Sequence, residues 1–288
     1  MTQAEPRTPA TAAFQADTAA TAARLAALQA YMEANVLSPA RFCCATQNAC
    51  FESLRPGVQM AEGQLSYLGQ HYDLARDGRP LRVVVVGQED GGLIGYVSLQ
   101  ARYDRIHRVA GLERHYFREG GQRARNPHMR GTTSALRLIF DKGLGTDWDQ
   151  EFVQMETGDR FHMFDAFALI NVLLCAAHKP GNATSQATKV MKHHCLKHLA
   201  ATLEILEPTL LVLQGVGVQE WMAPVLGMME EITPHLAKAN LGGADPLVCL
   251  FTHPSARSKA HGWGNRLDAP YLVDVVEPTL RLAMSLQD

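Results

Sequence analysis

The stretch LRVVVVGQEDGG, Leu81 to Gly92, joins four consecutive valines to a glycine and a polar turn. A β-branched run without polar alternation reads as a strand buried on both faces, the pattern of a parallel sheet. Such sheets bind ligands beyond the carboxyl ends of their strands, so Gly87, Gln88, Glu89 and Asp90 fall where chemistry is expected. Working outward, FDAFALINVLLC (Phe164 to Cys175), TLLVLQG (Thr209 to Gly215) and the segment around Leu247 to Phe251 repeat the buried-strand pattern. A helix over 188–207 is predicted from Val190, Met191, Leu196, Leu199, Leu203 and Leu206 at helical spacing before Pro208. Further helices are predicted over about 218–229 and 270–286. Strands alternating with helices predict an α/β fold of three layers, α/β/α, with a mostly parallel central sheet.

The chain has 288 residues and a net charge of −2, so its global electrostatics do not announce a nucleic-acid binder, and any phosphate contact must be local. Residues 1–20 read as a flexible Ala/Thr-rich leader, followed by a helix from about Ala22 to Val36, with 21–288 as one domain. No run approaches a bilayer span and the first residues lack a signal pattern, so no membrane partner is expected and cytoplasm is the expected compartment. Free cysteines fit that compartment. Nine arginines lie between Arg102 and Arg137, with Tyr103, Tyr116 and Phe117 among them. Such a run is either a solvated face or a border for phosphates and unstacked bases.

One imidazole leads the segment FTHPSARSKAHGWG, Phe251 to Gly264. This His-Pro-Ser-x-Arg loop ending in Gly-Trp resembles the leaving-group loop of the uracil-DNA glycosylase superfamily, and in particular that of the single-strand-selective members. The turn Gly87-Gln88-Glu89 is similar to the Gly-Gln-Asp of the superfamily's water-positioning loop, although Asp90 stands where that family has proline. Asn171, the one amide in the strand FDAFALINVLLC, matches the asparagine that reads the pyrimidine edge.

The resemblance implies a monofunctional DNA glycosylase acting on a base flipped out of DNA, because the bond is out of reach inside a duplex. On that reading Glu89 or Asp90 is the carboxylate that orients water and faces the charge developing on the sugar, and His253 stabilises the departing base. Gln88, Gly91, Asn171, His128 and Met129 contact the base, Ser255 and Arg130 hold phosphates, and Arg257 props the gap in the stack. Neither motif carries a lysine for a Schiff base, so no strand cleavage is expected. A monomer is expected.

Six cysteines complete the pattern. Cys43, Cys44 and Cys50 precede the first strand, Cys175 ends the asparagine strand, Cys195 follows in a helix, and Cys249 sits in the apolar run LVCLF as core. Two pairs straddling the asparagine strand resemble the ligands of the iron-sulfur uracil glycosylases, which implies a four-iron, four-sulfur cluster on Cys43, Cys50, Cys175 and Cys195, with Cys44 as alternative to Cys43. Two departures from the family accompany this: nineteen residues separate Cys175 from Cys195, and no C-x-x-C is present. Buried free thiols are the plain alternative. Zinc is the competing metal, with His193, His194 and His198 as further donors.

The base is the open question. Gly91 and Gly92 stand where uracil-excising members carry a tyrosine that blocks the pyrimidine 5-position, and His128-Met129 follow Pro127 where the iron-sulfur members carry a stacking phenylalanine. The interval Leu93 to Asn126 is also longer than the family needs, as functional lids often are. These departures imply a bulky 5-substituted cytosine, such as glucosylated hydroxymethylcytosine of phage DNA, and antiviral defence. The alternatives are uracil repair, a silent cluster-bearing DNA-binding module, and a nucleotide enzyme on a Rossmann-like sheet. The last lacks the G-x-G-x-x-G spacing.

Overall fold

A computed structural model describes residues 13–38, 41–89, 98–117, 123–182, 184–258 and 261–287. The strands that matter here are β1 (Phe14–Ala16), β2 (Gln59–Glu62), β3 (Tyr67–Leu68), β4 (Leu74–Arg76), β5 (Val83–Gly87), β6 (Phe167–Asn171), β7 (Cys175–His178), β8 (Leu210–Gln214), β9 (Glu230–Thr233), β10 (Leu236–Lys238) and β11 (Leu247–Phe251). The helices are α1 (Thr18–Asn35), α2 (Gln47–Glu52), α3 (Leu99–Tyr103), α4 (Pro127–Ile139), α5 (Lys189–Leu206), α6 (Val216–Leu226) and α7 (Glu277–Gln287), with a π-helix over Asp104–Leu112 continuing α3.

Seven strands form the main sheet in the order β9-β10-β11-β8-β5-β6-β3. The central four are parallel, with Val83 opposite both Phe167 and Leu210. An antiparallel β3 closes one edge and the antiparallel pair β9–β10 the other. The fold is thus mixed α/β with a mostly parallel central sheet, as the valine run predicts. Because side chains alternate along a strand, Val83 and Val85 join Leu136, Ile139 and Leu280 of α4 and α7 in one core. Val84 and Val86 join Leu199, Leu203 and Met222 of α5 and α6 in the other. All four valines are fully buried, and each contributes about 1.5–3 kcal/mol.

Several expectations are corrected. Residues 14–20, expected in a leader, belong to the fold: β1 pairs antiparallel with β4, and Phe14 is buried edge-on to Phe140, with ring centroids 5.7 Å apart; residues 1–12 lie outside the described residues. The first helix begins at Thr18 because Asp17 caps it, accepting from the Ala20 N–H at 2.8 Å. FDAFALINVLLC is not one strand: a 3-10 turn over Met163–Asp165 precedes β6, and Cys175 begins a separate strand, β7, that pairs antiparallel with β2. The helix expected over 218–229 runs from Val216 to Leu226, where Gly227 with φ +65° ends it, and β9 follows. None of the described helices is long and apolar enough to cross a membrane.

Candidate active site

The carboxyl ends of β5, β6 and β11 and the start of α4 enclose a cavity of about 660 Å³. Gln88 and Glu89 enter it directly after β5, Asn171 as the last residue of β6, and His253 two residues beyond β11. Backbone bonds from Val172 N–H to the Gly87 carbonyl and from Leu173 N–H to the Gln88 carbonyl fix the first loop against the second.

Asn171 is 8% exposed, and its Nδ2 is buried without a hydrogen-bond partner among the described residues. An orphaned buried amide costs about 1–3 kcal/mol, which a ligand can repay. Gly87 makes room for it: a Cβ there would sit 3.1 Å from Asn171 Oδ1 and 3.6 Å from His128 Cε1.

His253 is held by its own loop. Its Nδ1 accepts from the Ser255 N–H at 3.1 Å and lies 2.8 Å from Ser255 Oγ. An Nδ1 that accepts leaves the proton of the neutral ring on Nε2. Burial pushes the His253 pKa down. His128 stacks beside it, centroids 5.6 Å apart and 22° between planes, and its pKa falls to about 3 through burial first, then through His253 and Arg102. Both imidazoles are therefore neutral near pH 7, and the site can donate a hydrogen bond without carrying an imidazolium.

Close packing locks this loop to α4. Asn126 caps the helix, accepting from the Met129 N–H at 2.9 Å, and Pro127 occupies its first turn. A Cβ on Gly131 would lie 2.6 Å from Pro254 Cβ, and one on Gly264 would lie 1.8 Å from the Pro127 carbonyl oxygen. Trp263 is fully buried and donates from Nε1 to the Thr252 carbonyl at 2.7 Å. These contacts explain why glycine stands at both positions.

Glu89 has a side chain 4% exposed. Its Oε2 accepts from the Ala177 N–H at 3.3 Å, and its Oε1 lies 3.7 Å from His178 Nε2. Met129 is buried and lines the cavity, while Ser255 and Arg257 are exposed on its rim. Asp90 and Gly91 lie outside the described residues.

The arginine segment divides. Arg105 and Arg114 line the cavity half-buried, and Arg102 lines it buried. Arg125 lines it too, but its guanidinium is fully buried against Glu151 and donates to the Ala110 and Gly111 carbonyls and to Thr133 Oγ1. It pins the π-helix to α4. Arg137 is also structural, donating to the Gly143 and Asp147 carbonyls. Arg130 is not among the lining residues; its guanidinium lies over the Phe117 ring at 5.3 Å. Tyr116 is likewise withdrawn from base stacking, being buried with its hydroxyl 2.8 Å from Ser134 Oγ.

The cysteines form a second group. Cys50, Cys175 and Cys195 are buried in one apolar cluster with partly buried Cys44 packed on it. Burial pushes these three buried thiols up, Cys195 to about 12, and electrostatic proximity to Cys44 adds to each. Cys43 is exposed and outside the cluster, so the thiol accompanying Cys50 is Cys44. Cys44 Sγ also lies 3.3 Å from Thr46 Oγ1 and 3.9 Å from His198 Nε2. Among the described residues no three His, Cys, Asp or Glu side chains are gathered as for a single metal ion, whether zinc or iron. His193 is exposed with its ring against His194, and Cys249 is buried in the main core.

Sequence reasoning missed His178, Thr184 and Ser185 in the cavity wall, and the Arg125–Glu151 pair behind it. An isolated histidine in an alanine-rich strand carries no periodic signal, and Glu151 is distant from Arg125 in sequence. No protein-family model matches the chain, and no curated protein matches it.

Proposed function

We propose that this chain is a monofunctional DNA glycosylase of the uracil-DNA glycosylase type, which hydrolyses the N-glycosidic bond of a flipped-out modified pyrimidine and leaves an abasic site. The observation that carries the reading is the convergence in one cavity of three groups with three different tasks: the orphaned amide of Asn171, the carboxylate of Glu89 and the Nε2–H of His253. Asn171 pairs with the polar edge of the base, gaining the partner it lacks. As the bond from C1′ to the base lengthens, its electron pair leaves with the base, and His253 Nε2–H donates to the oxygen on which that charge gathers. Glu89 faces the positive charge developing on the sugar and accepts a proton from the water that bonds to C1′. Ser255 and Arg257 on the rim suit phosphate contact.

The base we propose is a bulky 5-substituted cytosine such as the glucosylated hydroxymethylcytosine of phage DNA, which makes the activity one of antiviral defence. The size of the cavity favours it, since about 660 Å³ falls in the range for drug-sized ligands. So does its wall beyond the base-reading groups, where Thr184, Ser185, Arg105 and Arg114 offer hydrogen bonds to a hydroxyl-rich substituent.

We propose further that the thiols hold a four-iron, four-sulfur cluster; what supports this is that cysteines from three segments, three of them buried, pack in one apolar patch. Cys44, Cys50, Cys175 and Cys195 would hold it. When bound, the cluster supplies a covalent tie between the segment before the sheet and β7.

The test is incubation of iron-reconstituted protein with matched DNAs carrying glucosylated hydroxymethylcytosine, hydroxymethylcytosine or uracil, with abasic sites scored by alkali and the released base identified by mass spectrometry. Release of the glucosylated base is expected. Release of uracil alone overturns the substrate assignment, and release from none overturns the glycosylase reading.

A further inference from the structure

His178 and Glu89 form a buried acid–imidazole pair that the mechanism above does not use. Their side chains are 8% and 4% exposed, both line the cavity, and Nε2 stands 3.7 Å from Oε1. That separation exceeds a direct hydrogen bond and lies within ion-pair reach, and a water seated beside the two atoms can bond to each. The other carboxylate oxygen is held by the N–H of Ala177, the residue before His178. One four-residue strand, β7, therefore grips Glu89 from both oxygens, and Cys175 of the thiol group begins that same strand. Its pairing with β2, in which His178 lies opposite Gln59 and Ala177 opposite Met60, fixes the grip to the fold.

We propose that His178 is a positioning residue for Glu89: the imidazole Nε2 and the carboxylate Oε1 hold the hydrolytic water between them, so that Glu89 meets the sugar in one orientation. This rests on the glycosylase reading of Glu89. Without His178, Glu89 keeps its backbone bond from Ala177 but loses the imidazole beside Oε1 that orients the water. A misplacement on the order of 1 Å costs about 10²-fold in rate.

Three measurements test the pair. Under single-turnover conditions H178A is expected to release base about 10²-fold more slowly, while its affinity for DNA carrying an uncleavable substrate analogue stays at the wild-type value. H178Q, which retains an N–H donor, is expected to recover most of the rate. Because His178 acts through Glu89, the double variant H178A/E89Q should be no slower than E89Q. A wild-type rate in H178A, or losses that multiply in the double variant, overturns the proposal. The third measurement needs no activity: the imidazole 15N resonances of His178 should move when Glu89 is changed to Gln, and unmoved resonances overturn the pair. Were the wild-type protein to release no base, the glycosylase reading would fail while these resonances still decided the pairing.

Discussion

Two regions of this molecule bury titratable side chains, and burial does opposite work in them. At the strand ends it pushes imidazoles down, His128 to about 3, and in the thiol patch it pushes cysteines up, Cys195 to about 12. Both shifts favour the uncharged form, because low dielectric penalises charge of either sign. For the leaving-group donor proposed at His253 the neutral imidazole would be the working form. For a metal-binding thiol the neutral form is the wrong one, since the thiolate is the ligand and binding must release protons. On the proposed reading the cavity is pre-organised, whereas the thiol patch would be completed only by the cluster proposed for it.

The sharpest way to break this comparison is at Glu89, the one carboxylate among the described cavity residues. E89Q keeps size and the bond from Ala177 N–H but cannot accept a proton. Single-turnover base release is expected to fall about 10³-fold with DNA affinity unchanged, general-base roles being worth roughly 10²–10⁴. Unchanged release would remove Glu89 from the mechanism.

The thiol patch is tested by contrast within one dipeptide. C44S is expected to lose the visible absorption and most of about four irons per chain after anaerobic reconstitution. C43S, altering an exposed thiol outside the cluster, is expected to retain both. The opposite result would restore Cys43 as the ligand.

The difference between those neighbours was not legible in the sequence, and the reason is physical. Cys43 and Cys44 are adjacent, and only the chain direction after the strand at Arg41–Phe42 decides which thiol turns inward. By contrast the four-valine run, a buried strand carrying Asn171 and His253 beyond LVCLF were legible, although the end of that strand at Asn171 rather than Cys175 was not. That residues 14–20 join the fold is hidden in the sequence because one aromatic, Phe14, in an alanine-rich stretch decides it through a partner, Phe140, far along the chain. His178 was hidden for the same reason: its meaning lies in Glu89, contributed by a different strand.

Acid should expose the cavity's side of the comparison. The folded pKa of His128 lies below its ordinary value of 6.5, so the unfolded chain binds more protons between about 3 and 6.5. Its contribution to stability is therefore complete above pH 6.5 and is lost as pH falls toward 3. His198, lowered to about 4, acts in the same direction. H128F is expected to flatten the acid limb of a stability–pH curve measured by denaturant titration. The ring keeps some contact with the cavity, so the change should stay below the roughly 1.4 kcal/mol per pH unit that one proton commands. An unchanged limb would mean that His128 is already solvated.

The smallest effect is expected where neither region's burial operates. Arg257 is exposed on the rim, and a cation there gains little from any fixed partner. Its work, on the present reading, is with DNA. R257A should weaken binding a few-fold irrespective of the base in the site, leave single-turnover release from bound DNA nearly unchanged, and lower the slope of log affinity against log salt by about one. A wedge that props the stack behaves otherwise: its loss would slow release through poorer extrusion, with little change in the salt slope. Measuring both quantities on one variant therefore separates a phosphate contact from a gap-filler at the position where the loop leaves the half-buried His253 for solvent.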